Sequence, residues 1–226
     1  MSTENPTAED RCRLVIVASD DQLDAYSDQS VSDCLNAADI ASIIIYCSPE
    51  SPHFAAQCER IVGIAQPKGC PVIVADDSQA MGRTGADGLH ISSGLGDVRD
   101  AVQKFTPQKM IGGGGLLDRH NALILGEAQP DYVFFGRLGG DTHPTAHKKN
   151  LKLAEWWAAH VEIPCVVMAG TDPESVVDVC RTGAEFVALS SAIFPTDSCS
   201  PSHPAEVALL VNKLLDEHGP RFDSEI

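Results

Sequence analysis

Short apolar runs of the β type recur eight times along this chain, each followed by a stretch long enough for a helix, and that alternation leaves room for little besides a wound parallel sheet. The runs are 14–18, 40–47, 70–75, 88–91, 109–112, 132–136, 165–169 and 186–190. Helices are expected near 32–38, 53–66, 78–84, 97–105, 116–128, 150–160, 173–182 and 203–217. A second regularity selects the closed form: a small residue and an acid open every second strand, at Ala38-Asp39, Ala86-Asp87, Pro130-Asp131 and Ala184-Glu185. Alternating side-chain layers give a closed barrel a reason for a repeat of period two, whereas an open doubly wound sheet, the alternative, has none. The fold class expected is α/β, a (β/α)8 TIM barrel. No Pro/Gly-rich linker or shift in composition interrupts the interior, so one barrel domain is expected over 13–218, between tails 1–12 and 219–226.

Charge narrows the partners. Lys and Arg total 16 against 32 Asp and Glu, a formal net charge of −16 that repels nucleic-acid phosphates and anionic lipid. Small molecules are the expected partners, and a homo-oligomer stays open. No apolar run approaches the ~20 residues of a membrane-spanning helix, and Met1–Asp10 is acidic where a secretory leader would be basic and then apolar, which points to the cytoplasm. The eight cysteines form no C-x-x-C pair and several lie inside apolar runs. They read as small reduced core residues, with zinc or disulfide as the alternatives.

In a barrel of this class the chemistry sits at the C-terminal ends of the strands. Strand seven ends in Met168-Ala169-Gly170-Thr171-Asp172 and strand eight in Leu189-Ser190-Ser191-Ala192. Small residues beside helix starts expose backbone N–H groups and serines add hydroxyl donors, so Gly170, Ser190 and Ser191 are candidates to hold a phosphate; tight turns and caps are the plainer reading. The loop 137–150 after strand six carries Arg137, Lys148 and Lys149 against Asp141, a local cationic surplus suited to a phosphate ester, or else an ordinary solvated loop. Asp76 after strand three and Asp97 beyond strand four are candidate ligands for Mg2+, a hard cation that takes carboxylates and ligand phosphates. Both also suit helix caps. His90 ends strand four as a substrate-binding, acid or base group, or as a hydrogen-bonded layer residue. Gly112–Gly115 let a ligand approach the backbone but lack side-chain chemistry, and no G-x-G-x-x-G precedes a helix with a downstream acid, which sets a dinucleotide aside. Trp156 and Trp157, adjacent on one helix, face about 100° apart, so one should pack on the barrel and the other should lie in a groove or subunit contact.

Four segments together resemble a known family: Ala86-Asp87-Gly88-Leu89-His90, Asp131-Tyr132-Val133-Phe134-Phe135-Gly136, Thr145-Ala146-His147-Lys148-Lys149 and the run Gly183 to Ile193. The chain is similar, from Arg13 to about Leu215, to thiamine-phosphate synthases and their relatives the thiazole tautomerases. The resemblance implies a (β/α)8 barrel that couples a hydroxymethylpyrimidine pyrophosphate with a thiazole phosphate, releasing pyrophosphate with help from Mg2+. Metal and cationic side chains would stabilise the departing anion, with no covalent nucleophile. By the same resemblance, Gly170, Ser190 and Ser191 hold the thiazole phosphate, Thr145 and the catalytic Lys148 contact the pyrophosphate, and Asp76 is a metal ligand.

Departures from the pattern are as informative. Where the synthases follow strand two with a Gln-x-Arg-x-Lys segment, this chain reads Tyr46-Cys47-Ser48-Pro49-Glu50 and offers no cation. The Asn before the metal Asp is Ala75, and the Gly-Gln-x-Asp after the histidine is replaced by Ser92-Ser93-Gly94-Leu95-Gly96-Asp97, which displaces Asp97 by about two residues. The Ser after strand five is Gly114, and the Gly-Gly-Ile after strand seven is Ala169-Gly170-Thr171. The tautomerase histidine falls near Leu116, with His120 about one turn on. The expected function is a synthase of altered or reduced activity. The alternatives are a non-catalytic or regulatory barrel that binds a phosphorylated ligand, or a tautomerase-like protein. With strand two uncharged, a monophosphate should bind better than the pyrophosphate.

Overall fold

The computed structural model describes residues 11–48, 51–196, 200 and 202–220. Eight parallel strands, β1 (Arg13–Ser19), β2 (Ile40–Tyr46), β3 (Val72–Ala75), β4 (Gly88–Ile91), β5 (Met110–Gly113), β6 (Tyr132–Phe135), β7 (Cys165–Met168) and β8 (Phe186–Leu189), pair in chain order, and β8 closes on β1. Helices α1 (Asp20–Asp24), α2 (Asp28–Ala37), α3 (Phe54–Ala65), α4 (Ser78–Thr84), α5 (Leu95–Phe105), α6 (Arg119–Gly126), α7 (Lys148–Ala158), α8 (Val176–Cys180) and α9 (His203–His218) lie between or after them. The (β/α)8 barrel is therefore present, with each of the eight strands where the apolar runs place it. Among the described residues no helix is long and apolar enough to cross a membrane.

Both faces of every strand are covered, which is why the strands read as continuous apolar runs. Val15, Val17, Ile44, Ile73, Tyr132, Phe134, Val166 and Met168 fill the barrel interior. The alternate residues, such as Leu14, Ile16, Ile43, Val72, Leu89, Val133 and Val187, pack under the helices. Trp157 is fully buried there, its Nε1 donating to the Ile163 carbonyl at 2.7 Å, while Trp156 is half-buried beside the Arg119 guanidinium.

The acid that opens every second strand is a staple at the N-terminal rim. Asp87 Oδ2 accepts from the Val72 N–H at 2.8 Å, Asp131 Oδ2 from the Ile111 N–H at 2.6 Å, and Glu185 Oε2 from the Cys165 N–H at 2.9 Å. Each even strand thus satisfies a backbone donor of the odd strand before it. Asp39 does the equivalent through a side chain, taking the Arg13 guanidinium at 2.8 Å. These contacts lie at the face of the barrel that carries stability rather than chemistry.

Two features differ from the expectation. The short helix α1 was not foreseen: Ser19 accepts from the Gln22 N–H while Gln22 Oε1 accepts from the Ser19 N–H, a capping box of spacing S-x-x-Q whose apolar run is too short to register as a helix. Arg11 and Cys12, assigned to the N-terminal tail, are buried, with Arg11 bound to Asn212 and Asp216 of α9. Six of the seven described cysteines are buried and free; Cys47 is exposed, and Cys199 lies outside the described residues. Burial pushes the Cys34, Cys58 and Cys70 thiols up to about 12, as inert core thiols require.

Candidate active site at the barrel mouth

The C-terminal ends of the strands enclose a cavity of about 1200 Å³ whose wall includes Tyr46, Asp76, His90, Phe134, Arg137, Asp141, Thr145, Lys148 and Lys149. Of the candidates, Asp76, His90, Thr145 and Lys148 therefore share one cavity. Asp97 does not line it. Asp97 is exposed in the first turn of α5, where its Oδ2 accepts from Ser93 Oγ at 2.7 Å, and it faces a smaller cleft of about 290 Å³ that Asp76 also borders.

Asp76 sits in a left-handed backbone conformation (φ 55°) immediately after β3. Its Oδ1 accepts from the Ser92 N–H at 2.7 Å and its Oδ2 from the Ser92 hydroxyl. An ionised carboxylate has about four lone-pair positions, so each oxygen keeps one for a further partner. Magnesium needs only one or two protein carboxylates when ligand phosphates and water complete its shell. The free lone pairs of Asp76 are compatible with that demand; among the described residues no group of three His, Cys, Asp or Glu side chains forms a protein-only metal cage.

His90 is fully buried and reaches Tyr132 Oη through Nδ1 at 3.0 Å, while Nε2 has no hydrogen-bond partner. A Cβ at Gly114 would stand 2.9 Å from that Nε2, so the glycine that replaces the synthases' serine leaves the nitrogen facing bare backbone. Burial lowers the imidazole pKa to about 4, with the Asp76 charge opposing. The ring is neutral at pH 7. The sign of the linkage follows: an unfolded histidine takes its proton near pH 6.5 and the folded one near 4, so this stability is complete above 6.5 and drains away as pH falls. Urea unfolding at pH 7.5 and 4.5 should show the parent losing roughly 2–3 kcal/mol more than His90→Gln. The comparison cancels carboxylates such as Asp20. There burial pushes the pKa up, but hydrogen bonds from Ser51 and Ser48 outweigh it and hold the group low. Equal losses would mean that His90 is protonated in the fold as readily as outside it.

The end of β2 carries no cation, as the sequence implies. The Ser48 N–H donates to the buried Asp20 carboxylate at 2.7 Å. Burial raises the Tyr46 phenol, the Asp141 and Asp20 charges add to this, and hydrogen bonds with Ser19 and Ser190 oppose it. The loop after β6 folds inward over this spot. A Cβ at Gly139, where φ is 65°, would lie 2.7 Å from Tyr46 Oη. Arg137, Lys148 and Lys149 thereby face the cavity, and their side chains form no ion pair among the described residues. The premise for monophosphate preference, a cation-poor mouth, thus holds at β2 and fails for the mouth as a whole.

Gly170, Ser190 and Ser191 are brought together on adjacent strands, but their donors are already engaged. The Gly170 N–H donates to Ser175 Oγ at 2.9 Å, and the Thr171 and Asp172 N–H groups donate to the His143 and Pro144 carbonyls at 2.8 and 3.2 Å. The Ser191 N–H and Oγ both donate to Asp141 Oδ2, at 2.8 and 2.6 Å. In the sequence Asp141 is only the one acid of a basic loop. Its seat depends on how the loop closes, which no local pattern encodes. The tautomerase position is occupied by Leu116, on the cavity wall, and His120 is exposed on α6 away from it.

Comparison with known proteins follows the same lines. Residues 14–193 match the family model described as thiamine monophosphate synthase. A thiamine-phosphate synthase of Erythrobacter litoralis is 34% identical over 149 residues, covering 64% of this chain and 70% of that protein. One from Rhodospirillum centenum is 27% identical over 210 residues, 88% of this chain and 94% of its own. The structure of a thiamine phosphate pyrophosphorylase from Pyrococcus furiosus superposes with a TM-score of 0.73, covering 93% of this chain and 98% of that one at 16% identity, a likeness of fold.

Proposed function

The chain belongs to the thiamine monophosphate synthase family, and from that premise we propose that its barrel mouth couples a hydroxymethylpyrimidine pyrophosphate with a thiazole phosphate, at a rate altered by the uncharged end of β2. The observation that carries the proposal is the cationic trio Arg137, Lys148 and Lys149 facing one cavity with Asp76 and His90. When the bond to the pyrophosphate breaks, the electron pair leaves on an already anionic group. Fixed cations at that point stabilise the transition state more than the ground state. In a protein of net charge −16 they also draw the anionic substrates to the mouth. Thr145, at the cavity wall beside Lys148, would contact the pyrophosphate. Neutral His90 borders the cavity, with its unpaired Nε2 buried against the Gly114 backbone. Asp76 is the residue that would hold magnesium, which when bound supplies further charge neutralisation to the leaving group. A cytoplasmic setting belongs to the same reading, supported by the acidic surface and the small phosphorylated substrates.

Formation of thiamine phosphate, followed with and without EDTA, tests it. The expected result is magnesium-dependent turnover, lowered about tenfold or more in Asp76→Ala, the loss of one charge-stabilising contact. Equal rates for parent and variant would remove Asp76 from the mechanism, and the absence of product from the folded parent would overturn the synthase reading. A second reading, a non-catalytic or regulatory barrel, is favoured by one observation: the Ser191 donors expected to hold the thiazole phosphate are taken by the protein's own Asp141, and the Gly170 N–H by Ser175.

A further inference from the structure

We propose that Asp141 is a built-in anion that occupies the phosphate seat at the end of β8, so that a phosphorylated ligand binds there only by displacing it. The inference rests on the phosphate-ligand reading above and adds the residue that sets the affinity of that seat. A single carboxylate oxygen takes both the N–H and the hydroxyl of Ser191, at 2.8 and 2.6 Å, the pair of donors that a phosphate oxygen would use. The seat is therefore complete without a ligand, and its occupant carries the ligand's sign of charge.

Further contacts hold the loop that carries the carboxylate. Gly139 crosses close over Tyr46 Oη, where any side chain would collide. The His143 and Pro144 carbonyls accept from the Thr171 and Asp172 N–H groups at the end of β7. The Pro144 oxygen also fills the space that a Cβ on Gly170 would need, 2.1 Å from it. The loop is latched to β2, β7 and β8 at once, and Asp141 is its latch on β8. Because Asp141 is tethered, it competes as an intramolecular ligand, and the affinity seen by a free phosphate is its intrinsic affinity multiplied by the fraction of molecules whose seat is open. Arg137 and Lys148, near the two ends of the same loop, face the cavity and supply the attraction that draws an external anion in as the internal one leaves.

Titration calorimetry with inorganic phosphate and with thiamine phosphate, on the parent, Asp141→Ala, Asp141→Asn and Ser191→Ala, tests the competition. The expected result is phosphate affinity at least about tenfold higher in Asp141→Ala, an intermediate gain in Asp141→Asn, and weaker binding in Ser191→Ala, which loses a donor to the ligand. Trypsin cleavage after Arg137, followed without ligand, reads the latch independently and should run several-fold faster in both Asp141→Ala and Ser191→Ala. Phosphate affinity equal in the parent and both Asp141 variants would overturn the inference while leaving the ligand class standing. Absence of phosphate binding in every variant would overturn both, and an unchanged cleavage rate would show that Asp141 does not hold the loop.

Discussion

Lys148→Ala should lower kcat/KM for thiamine phosphate formation by about 100-fold or more, with Lys148→Arg recovering part of the loss. Lys148 and Lys149 are the first two residues of α7, whose N-terminus carries the positive end of the helix dipole. A cation there is disfavoured by about 0.3–1 kcal/mol, and two of them are a local arrangement that stability alone would not select. An incoming pyrophosphate reverses that sign, because the helix N-terminus, both ammonium groups and Arg137 all act on it together. With β2 ending in Tyr46, Cys47 and Ser48, that strand supplies no cation to replace Lys148, and only Arg137 and Lys149 of the trio remain. Steady-state kinetics on the folded variant decide the matter. A loss of less than threefold would show that the leaving group is not held by this loop.

The barrel was legible because its signals are local and repeated. A strand buried on both faces must be apolar throughout, so β1 with Leu14 to Ala18 announces itself without knowledge of its neighbours. The staple acids were visible as a repeat of period two, although their partners, the N–H groups of Val72, Ile111 and Cys165, could be named only once the strands were in register. Helix α1 was hidden by its length of five residues, which gives hydrophobic periodicity nothing to count.

The mouth was legible by residue type and not by arrangement. Asp76 follows β3, His90 lies near the end of β4, and Thr145 and Lys148 lead into and open α7, so the topology carries them to one cavity. Asp97 is displaced by about two residues from the family's position and faces the neighbouring cleft instead, since two residues on a helix rotate a side chain by about 200°. The occupation of Ser191 by Asp141 joins residues 50 positions apart through a loop with no periodicity, and only its folded path reveals it. The cations on that loop show the same dependence: a solvated loop and a substrate clamp have the same composition, and they differ in whether Gly139 can pass over Tyr46.

Gly112→Ala should be among the most destabilising single substitutions in the barrel, costing about 3 kcal/mol or more in urea unfolding. The glycine run that begins within β5 has no side-chain chemistry, yet a Cβ on Gly112 would lie 1.9 Å from the Tyr132 ring, inside the space the ring occupies. Tyr132 is 5% exposed and its hydroxyl is the partner of the buried His90 Nδ1, so moving the ring aside also leaves a polar nitrogen unpaired in the barrel interior. Overpacking and an unsatisfied polar group would then act together. Tyr132→Ala alone should cost a similar amount, through the cavity it opens and the hydrogen bond it removes. The pair decides the cause. If the steric conflict is the origin, the double variant Gly112→Ala with Tyr132→Ala is less unstable than the two single losses added, by roughly 1–3 kcal/mol of coupling. Strict additivity would mean that Gly112 is required for its backbone and not for the room it leaves to Tyr132.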